Sequence, residues 1–251
     1  FNLRVASSLY MNEHYIDHIY SEIRDSKLLP HRKYTYSDLG FHIFPRIIED
    51  LTGSNYEDYL LTQFYTPLGA RTVFYNAYKH FSRDMIVPTE QDNIFRKELL
   101  QGFVHDEGAS MLGGVSGNAG LFGTANDLAK IMQMYLQNGY YGGQQFLDSA
   151  SVCEFTRIQY PENENRRGLG FDKPFIDNHE NKLKDAYPAV DASPESFGHS
   201  GYTGTFTWAD PKNNLLFIFF SNRVYPTREN SKLFKLNIRP EMHQAIYDSL
   251  K

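Results

Sequence analysis

The chain has 251 residues, a formal net charge of −5 at pH 7 and one cysteine, with 41% hydrophobic and 22% charged residues. That is enough chain to bury a substantial core, as one large domain or two small ones, in an ordinary globular balance. The acidic balance, with no basic run longer than His31-Arg32-Lys33, excludes a broad nucleic-acid surface.

Leu215–Phe220, the longest apolar stretch, is too short to span a membrane, and Cys153 alone permits neither an internal disulfide nor a cysteine zinc site. Aromatic residues reach 15%, which points to an aromatic core. The sequence opens at Phe1 without a Met or a signal peptide, as expected of a processed or cloned fragment.

Within residues 13–27, Ile16, Ile19, Tyr20 and Ile23 recur at helical spacing and predict an amphipathic helix ended by Leu29-Pro30. His14 and His18 share a face of it, but no Glu follows His14, so they read as solvated rather than zinc-binding. "HRKYTY" predicts an extended lead-in. From Ser37, the stripe Leu39, Ile43, Ile47, Ile48 and Leu51 predicts one helix, kinked at Pro45 and closed by Gly53. Ser54-Asn-Tyr-Glu57 has the spacing of a capping box and predicts a further helix to about Tyr65.

Residues 70–107 lack periodicity and predict a long irregular region with short helices. Inside it, His105-Asp106-Glu107 reads as a loop anchor, since no further spacing supports a metal site. Five glycines between Gly113 and Gly123 lack the endings and spacing of a phosphate cradle; a loop bordering a cleft and a set of tight turns both fit. Thr124–Asp127 caps a helix carrying Leu128, Ile131, Met132, Tyr135 and Leu136, closed by Gly139, and another helix is predicted near 148–158.

Beyond Arg166 the texture is that of strands: "GLGFDKPFI", then "GHSGYTGTFTWAD" and "NLLFIFFSNR" across the turn residues Asp210–Asn214. The last strand is apolar on both faces and needs cover on both, one of them from a helix over Pro240–Leu250. Helices first, antiparallel strands last and a closing helix predict an α+β fold. Its mainly helical region covers 1–165, and its strands and final helix cover 166–251.

Two polar triplets carry the candidate chemistry. Tyr36-Ser37-Asp38 stands where an extended segment enters a helix, and a tyrosine can act as a general base where a cation lowers its pKa. His199-Ser200-Gly201 is predicted at the head of a strand. There a His can supply a proton or a polar contact, Gly201 permits close approach, and the N–H of Tyr202 can face an oxyanion.

In this order the motifs resemble the serine β-lactamase and penicillin-binding-protein superfamily, in its class C-like, esterase-like branch. That family carries Ser-x-x-Lys, then Tyr-x-Asn, then Lys/His-x-Gly. "YTYSDLGF…YTPLGARTVF" looks like the second-motif region, "LGGVSGNAGLFGTANDLAKIMQMYL" like the Gly-rich loop and long helix, and "FGHSGYTGTFTWADP" like the third motif. The likeness covers roughly residues 34–225, and "VHDEGASMLGG" is similar to a branch of gut Bacteroidetes in which the domain is fused behind a glycosidase.

The resemblance implies a partial β-lactamase-like fold and acyl transfer through an acyl-serine, with no cofactor and no metal. Tyr36 would be the base, His199 would stand where most members keep Lys, and the Tyr202 N–H would form half of an oxyanion hole. Asp38, Ser200 and Gly201 would line the substrate, a small molecule or peptide, in a bacterial periplasm or other extracytoplasmic space.

Two departures stand out. Asp38 replaces the usual Asn and, when ionised, only accepts hydrogen bonds, which weakens the case for β-lactams more than for esters or peptides. No serine in the chain has Lys three positions on, so the nucleophile is expected upstream of Phe1 and the isolated chain is expected to be inactive. Such a fragment would leave an open sheet edge and exposed apolar surface, and with them self-association or pairing with a complementing N-terminal segment. The alternatives are a non-catalytic module that binds peptidoglycan peptides or a protein partner, and an unrelated hydrolase with an accidental motif match.

Overall fold

The computed structural model describes residues 1–30, 34–163 and 165–251. His31, Arg32 and Lys33 of the predicted lead-in lie outside them, and Tyr34–Ser37 have no regular structure. The fold is α+β, with helices and antiparallel sheets. One compact unit comprises Phe1–Pro67, Arg71–Thr124 and Val224–Arg228, and a second comprises Leu68–Ala70, Ala125–Arg223 and Glu229–Lys251.

The first unit opens with a short ladder of β1 (Leu3–Arg4) and β2 (Tyr10–Met11), followed by α1 (Tyr15–Arg24). The predicted stripe of α1 is half-buried along its length, and Arg46 fixes the helix by an ion pair to Asp17 at 2.8 Å and by lying over the Tyr20 ring. The helix expected over 37–53 is in fact two, α2 (Leu39–His42) and α3 (Phe44–Thr52), parted at Ile43. Pro45 is the cause. It has no N–H to return to the preceding turn, so it sits in the first turn of α3, where none is needed. Gly53 closes α3 at φ 67° with its N–H on the Glu49 carbonyl.

The next helix, α4 (Tyr56–Leu60), continues as a wider π turn over Leu61–Tyr65. Its cap is Asn55 rather than Ser54: the Asn55 side chain accepts from the N–H groups of Glu57 and Asp58.

Residues 70–107 hold the predicted short helical turns, at Ala77–Lys79 and Arg83–Met85, but also strands that periodicity does not show. These are β3 (Phe74–Tyr75), and a hairpin of β4 (Pro88–Gln91) with β5 (Leu99–Gln101). Charge organises the segment. Asp92 and Arg96 form a fully buried pair at 2.8 Å, and Arg96 also donates to the carbonyls of Val104 and His105. His105-Asp106-Glu107 is an anchor, as expected. His105 lies 3.0 Å from buried Glu90, Asp106 caps α5 (Glu107–Met111) through the Ala109 N–H, and Arg228 clamps both Glu90 and Glu107. The strand β6 (Leu121–Phe122) then pairs with β3.

In the second unit, α6 (Ala125–Leu136) ends at Gly139, and the small hairpin of β7 (Tyr140–Tyr141) and β8 (Gln144–Gln145) leads to α7 (Ser149–Thr156), capped by Asp148. The predicted strand "GLGFDKPFI" does not form: only Asp172 pairs, in a single bridge to Gly198. Gly170 at φ 78° and Pro174, which lacks an N–H, break the run on either side.

"GHSGYTGTFTWAD" is two strands, β9 (Phe197–Ser200) and β10 (Phe206–Asp210), joined by a turn in which the Gly201 N–H meets the Thr205 carbonyl at 2.8 Å. His199 therefore lies near the end of a strand, not at its head. β11 (Leu215–Phe219) completes an antiparallel sheet of order β11-β10-β9.

The two-sided apolar pattern of β11 is covered as predicted. Leu216 and Ile218 pack with Met132 and Leu136 of α6, while Phe217 stacks on His243 of α9 (Ile238–Ser249), which follows a short α8 (Lys232–Lys235). The predicted turn is tied by Asp210, whose buried carboxylate accepts from Lys212, Asn213, Ser193 and the Tyr247 hydroxyl.

Candidate active site

Tyr36 belongs to the first unit. It lies on the irregular segment just before α2, with its side chain more than half exposed. The chain turns into the helix through two contacts: the Ser37 hydroxyl accepts the Leu39 N–H, and the Asp38 carbonyl accepts those of Phe41 and His42. Asp38 occupies the cap position without a side-chain cap bond, so its half-buried carboxylate is not spent on closing the helix.

The Gly-rich loop packs against this helix. Ser116 is buried; its hydroxyl donates to Asn118 Oδ1 at 2.7 Å and so accepts from His42 Nδ1 at 2.9 Å. Its carbonyl accepts the Tyr75 hydroxyl at 3.0 Å. This buried hydroxyl donates to an amide oxygen rather than to a base, so it clamps the loop. Beside it, a Cβ on Gly117 would fall against the Phe41 carbonyl. Of the two uses sequence allowed for these glycines, close backbone approach is realised here and tight turns at Gly113, Gly114 and Gly120, all at positive φ.

The second unit holds His199, Ser200, Gly201 and Tyr202. His199 Nδ1 is 3.0 Å from the Ser200 carbonyl oxygen, and Nε2 is 3.0 Å from Arg167 Nη1. Arg167 is itself held by Asp172 at 3.4 Å, and Arg166 pairs with the same carboxylate at 3.0 Å. The turn after His199 is braced by two arginines. Arg239 donates to the Gly201 carbonyl, and Arg223 donates to that of Tyr202 while lying 4.2 Å from its ring centroid. With both carbonyls occupied from one side, the peptide planes at 201–203 are fixed. That is what an oxyanion-binding N–H requires.

Tyr36 and Asp38 thus sit in one unit and the His-Ser-Gly motif in the other. Arg167, Asp172 and the His42–Ser116 clamp escape a reading of sequence: Arg166-Arg167 is an unremarkable basic pair until the Asp172–Gly198 bridge puts it beside His199. Among the described residues no cluster of His, Cys, Asp and Glu could hold a metal, and His18 merely approaches Glu22 on an exposed helix face. No described helix is long and apolar enough to cross a membrane.

A sequence model of the β-lactamase family matches residues 8–238. The chain belongs to that family, within the serine β-lactamase and penicillin-binding-protein superfamily. Relatives from Salmonella gallinarum and Salmonella typhi, provisionally named D-alanyl-D-alanine carboxypeptidases, are each 36% identical over 216 residues, covering 81% of this chain and 48% of theirs. The chain therefore spans about half the length of these curated relatives.

Solved structures agree on the fold. A β-lactamase from Mycobacterium bovis matches with TM-score 0.57 at 19% identity, covering 88% of this chain and 66% of that one. A penicillin-binding protein homologue from Caulobacter crescentus matches with TM-score 0.55 at 16% identity, covering 87% and 62%.

Proposed function

We propose that this chain is the C-terminal part of a serine acyl hydrolase domain that attacks an amide or ester, a cell-wall peptide or ester before a β-lactam. The observation that carries the proposal is the ordered set of Tyr36, the Gly-rich loop and His199-Ser-Gly inside a family match that omits any Ser-x-x-Lys. Three further observations support a nucleophile upstream of Phe1. The chain covers 48% of its relatives, and Leu39, Ile47 and Leu51 are exposed on α2 and α3. The β9–β11 sheet is open, with three strands among the described residues.

In this mechanism Tyr36 takes the proton from the serine hydroxyl as its oxygen attacks the substrate carbonyl. The C–O bond forms, the carbonyl pair moves onto oxygen toward the Tyr202 N–H, and collapse expels the leaving group, which takes the proton back from Tyr36. Water then repeats the sequence to release the acid and restore the serine. Asp38, which when ionised only accepts where the family motif has Asn, selects groups with an N–H or O–H to offer. An extracytoplasmic location follows from cell-wall chemistry.

The absence of Ser-x-x-Lys also favours a second reading, a non-catalytic module that binds peptidoglycan peptides. Labelling separates the two. A longer protein that includes the upstream sequence is treated with a fluorescent penicillin and a fluorophosphonate. Labelling that disappears with Ser→Ala in an upstream Ser-x-x-Lys supports the enzyme. No labelling, or labelling indifferent to that change, sinks it.

A further inference from the structure

The contacts of His199 determine its protonation by elimination. A backbone carbonyl only accepts, so Nδ1, 3.0 Å from the Ser200 oxygen, carries the hydrogen. A guanidinium only donates, so Nε2, 3.0 Å from Arg167 Nη1, presents its lone pair. His199 is then the neutral Nδ1–H tautomer. A proton on Nε2 would set N–H against N–H and place two cations at contact distance.

Arg167 is not free to turn away. Its Nη2 lies 3.4 Å from Asp172 Oδ2, and the Asp172 side chain is almost wholly buried. Asp172 is stapled to the strand that bears His199: its N–H donates to the Gly198 carbonyl at 2.7 Å and its carbonyl accepts the Gly198 N–H at 3.1 Å. Arg166 neutralises the remaining share of the carboxylate at 3.0 Å and is itself tied to the Lys173 carbonyl at 2.7 Å. Among the described residues, Arg239 through the Gly201 carbonyl, Arg223 through the Tyr202 carbonyl, and Tyr187, whose hydroxyl burial keeps protonated, also face this corner of the unit.

The geometry points to Arg167 as the positioning residue of the third motif. It holds His199 as a neutral acceptor and carries, on a guanidinium fixed by Asp172, the positive charge of this wall. Within the acyl-hydrolase reading, on which this role rests, the charge expected at residue 199 is supplied from residue 167 instead. His199 then cannot deliver a proton from Nε2. The wall stays cationic at every pH at which the protein is folded, because a guanidinium does not titrate.

The test needs no turnover, so its failure and that of the acyl-hydrolase reading are separable. Long-range 1H–15N correlation spectra of the imidazoles are recorded on the 251-residue chain, with His199→Gln to assign the signal. At pH 7 the wild-type His199 should show a protonated Nδ1 and an unprotonated Nε2. Arg167→Met should raise its titration midpoint by about one pH unit or more and mix the tautomers. Arg167→Lys, which restores a donor, should fall between them.

The other histidine signals and the far-UV circular dichroism report whether each variant is folded. If Arg167→Met does not fold, the wild-type tautomer and the Arg167→Lys shift decide. A wild-type His199 that is charged or Nε2-protonated at pH 7 overturns the proposal, as does a midpoint unmoved in a folded Arg167 variant.

Discussion

Acid should destabilise this protein through His243, and the size of that contribution can be worked out. The His243 ring is fully buried on α9, stacked on Phe217 at 4.7 Å between centroids, with Phe206 at 5.7 Å and Tyr247 at 5.0 Å, and among the described residues neither ring nitrogen has a hydrogen-bond partner. Burial pushes its pKa down from 6.5 to about 3, against a smaller opposing pull from Asp210. The unfolded chain therefore binds this proton at a higher pH than the folded one.

The stability this group contributes is complete above pH ~6.5 and is lost as the pH falls toward ~3. Between pH 7 and pH 4.5 the loss is about 3 kcal/mol, since pH 4.5 lies two pH units below the unfolded midpoint at about 1.4 kcal/mol each. His243→Phe keeps an aromatic ring in the cage and removes the proton site. Urea unfolding at both pH values, for both proteins, gives the difference of differences, in which any packing cost of the larger ring cancels. The variant should lose about 3 kcal/mol less than the wild type on acidification. Equal losses would refute the account of a neutral, caged His243.

Three further outcomes follow from the same structure. Asp210→Asn should cost about 1–3 kcal/mol at pH 7, because buried donors from Ser193 and Tyr247 lose an acceptor. Burial alone would raise this carboxyl, but the hydrogen bonds from Ser193, Asn213 and Tyr247 hold it below its usual range. The wild-type advantage should therefore shrink as urea midpoints are followed down through the acid titration of that carboxylate. Gly117→Ala should destabilise by about 1–3 kcal/mol in thermal unfolding, since its Cβ meets the Phe41 backbone rather than a side chain that can move. Tyr36→Phe, in the longer protein, should slow acylation about 100-fold or more in stopped-flow labelling.

The elements legible in sequence are those whose apolar residues face one packed surface. α1, α6 and the two-sided β11 declare themselves by spacing in Ile16 to Ile23, Met132 to Leu136 and Leu215 to Phe219, whereas α9, whose buried face is Arg239, His243, Gln244 and Tyr247, is expected only as cover for β11. The β4–β5 hairpin is hidden for the opposite reason. Its buried positions include Glu90, held by Arg228 from 138 residues away, so charge stands where a strand pattern would show an apolar residue. The break at Ile43 was announced by Pro45, but a proline's cost decides between a kink and a cut only once the helix end is seen to be viable.

Both motif triplets were visible as residues. The long-range contacts around them were not: His42 of the helix after the first triplet finds Ser116 across 74 positions, and His199 finds Arg167 across 32, and no period encodes either.

The central claim is an acyl-serine formed by a residue upstream of Phe1 and served by Tyr36 and the His199 motif. Mass spectrometry of the longer protein after fluorophosphonate treatment tests it most directly, by locating the adduct. The account predicts one adduct, on the serine of an upstream Ser-x-x-Lys, with its rate of formation cut by Tyr36→Phe. An adduct on any serine between Ser7 and Ser249, or none at all on a folded protein, would contradict it.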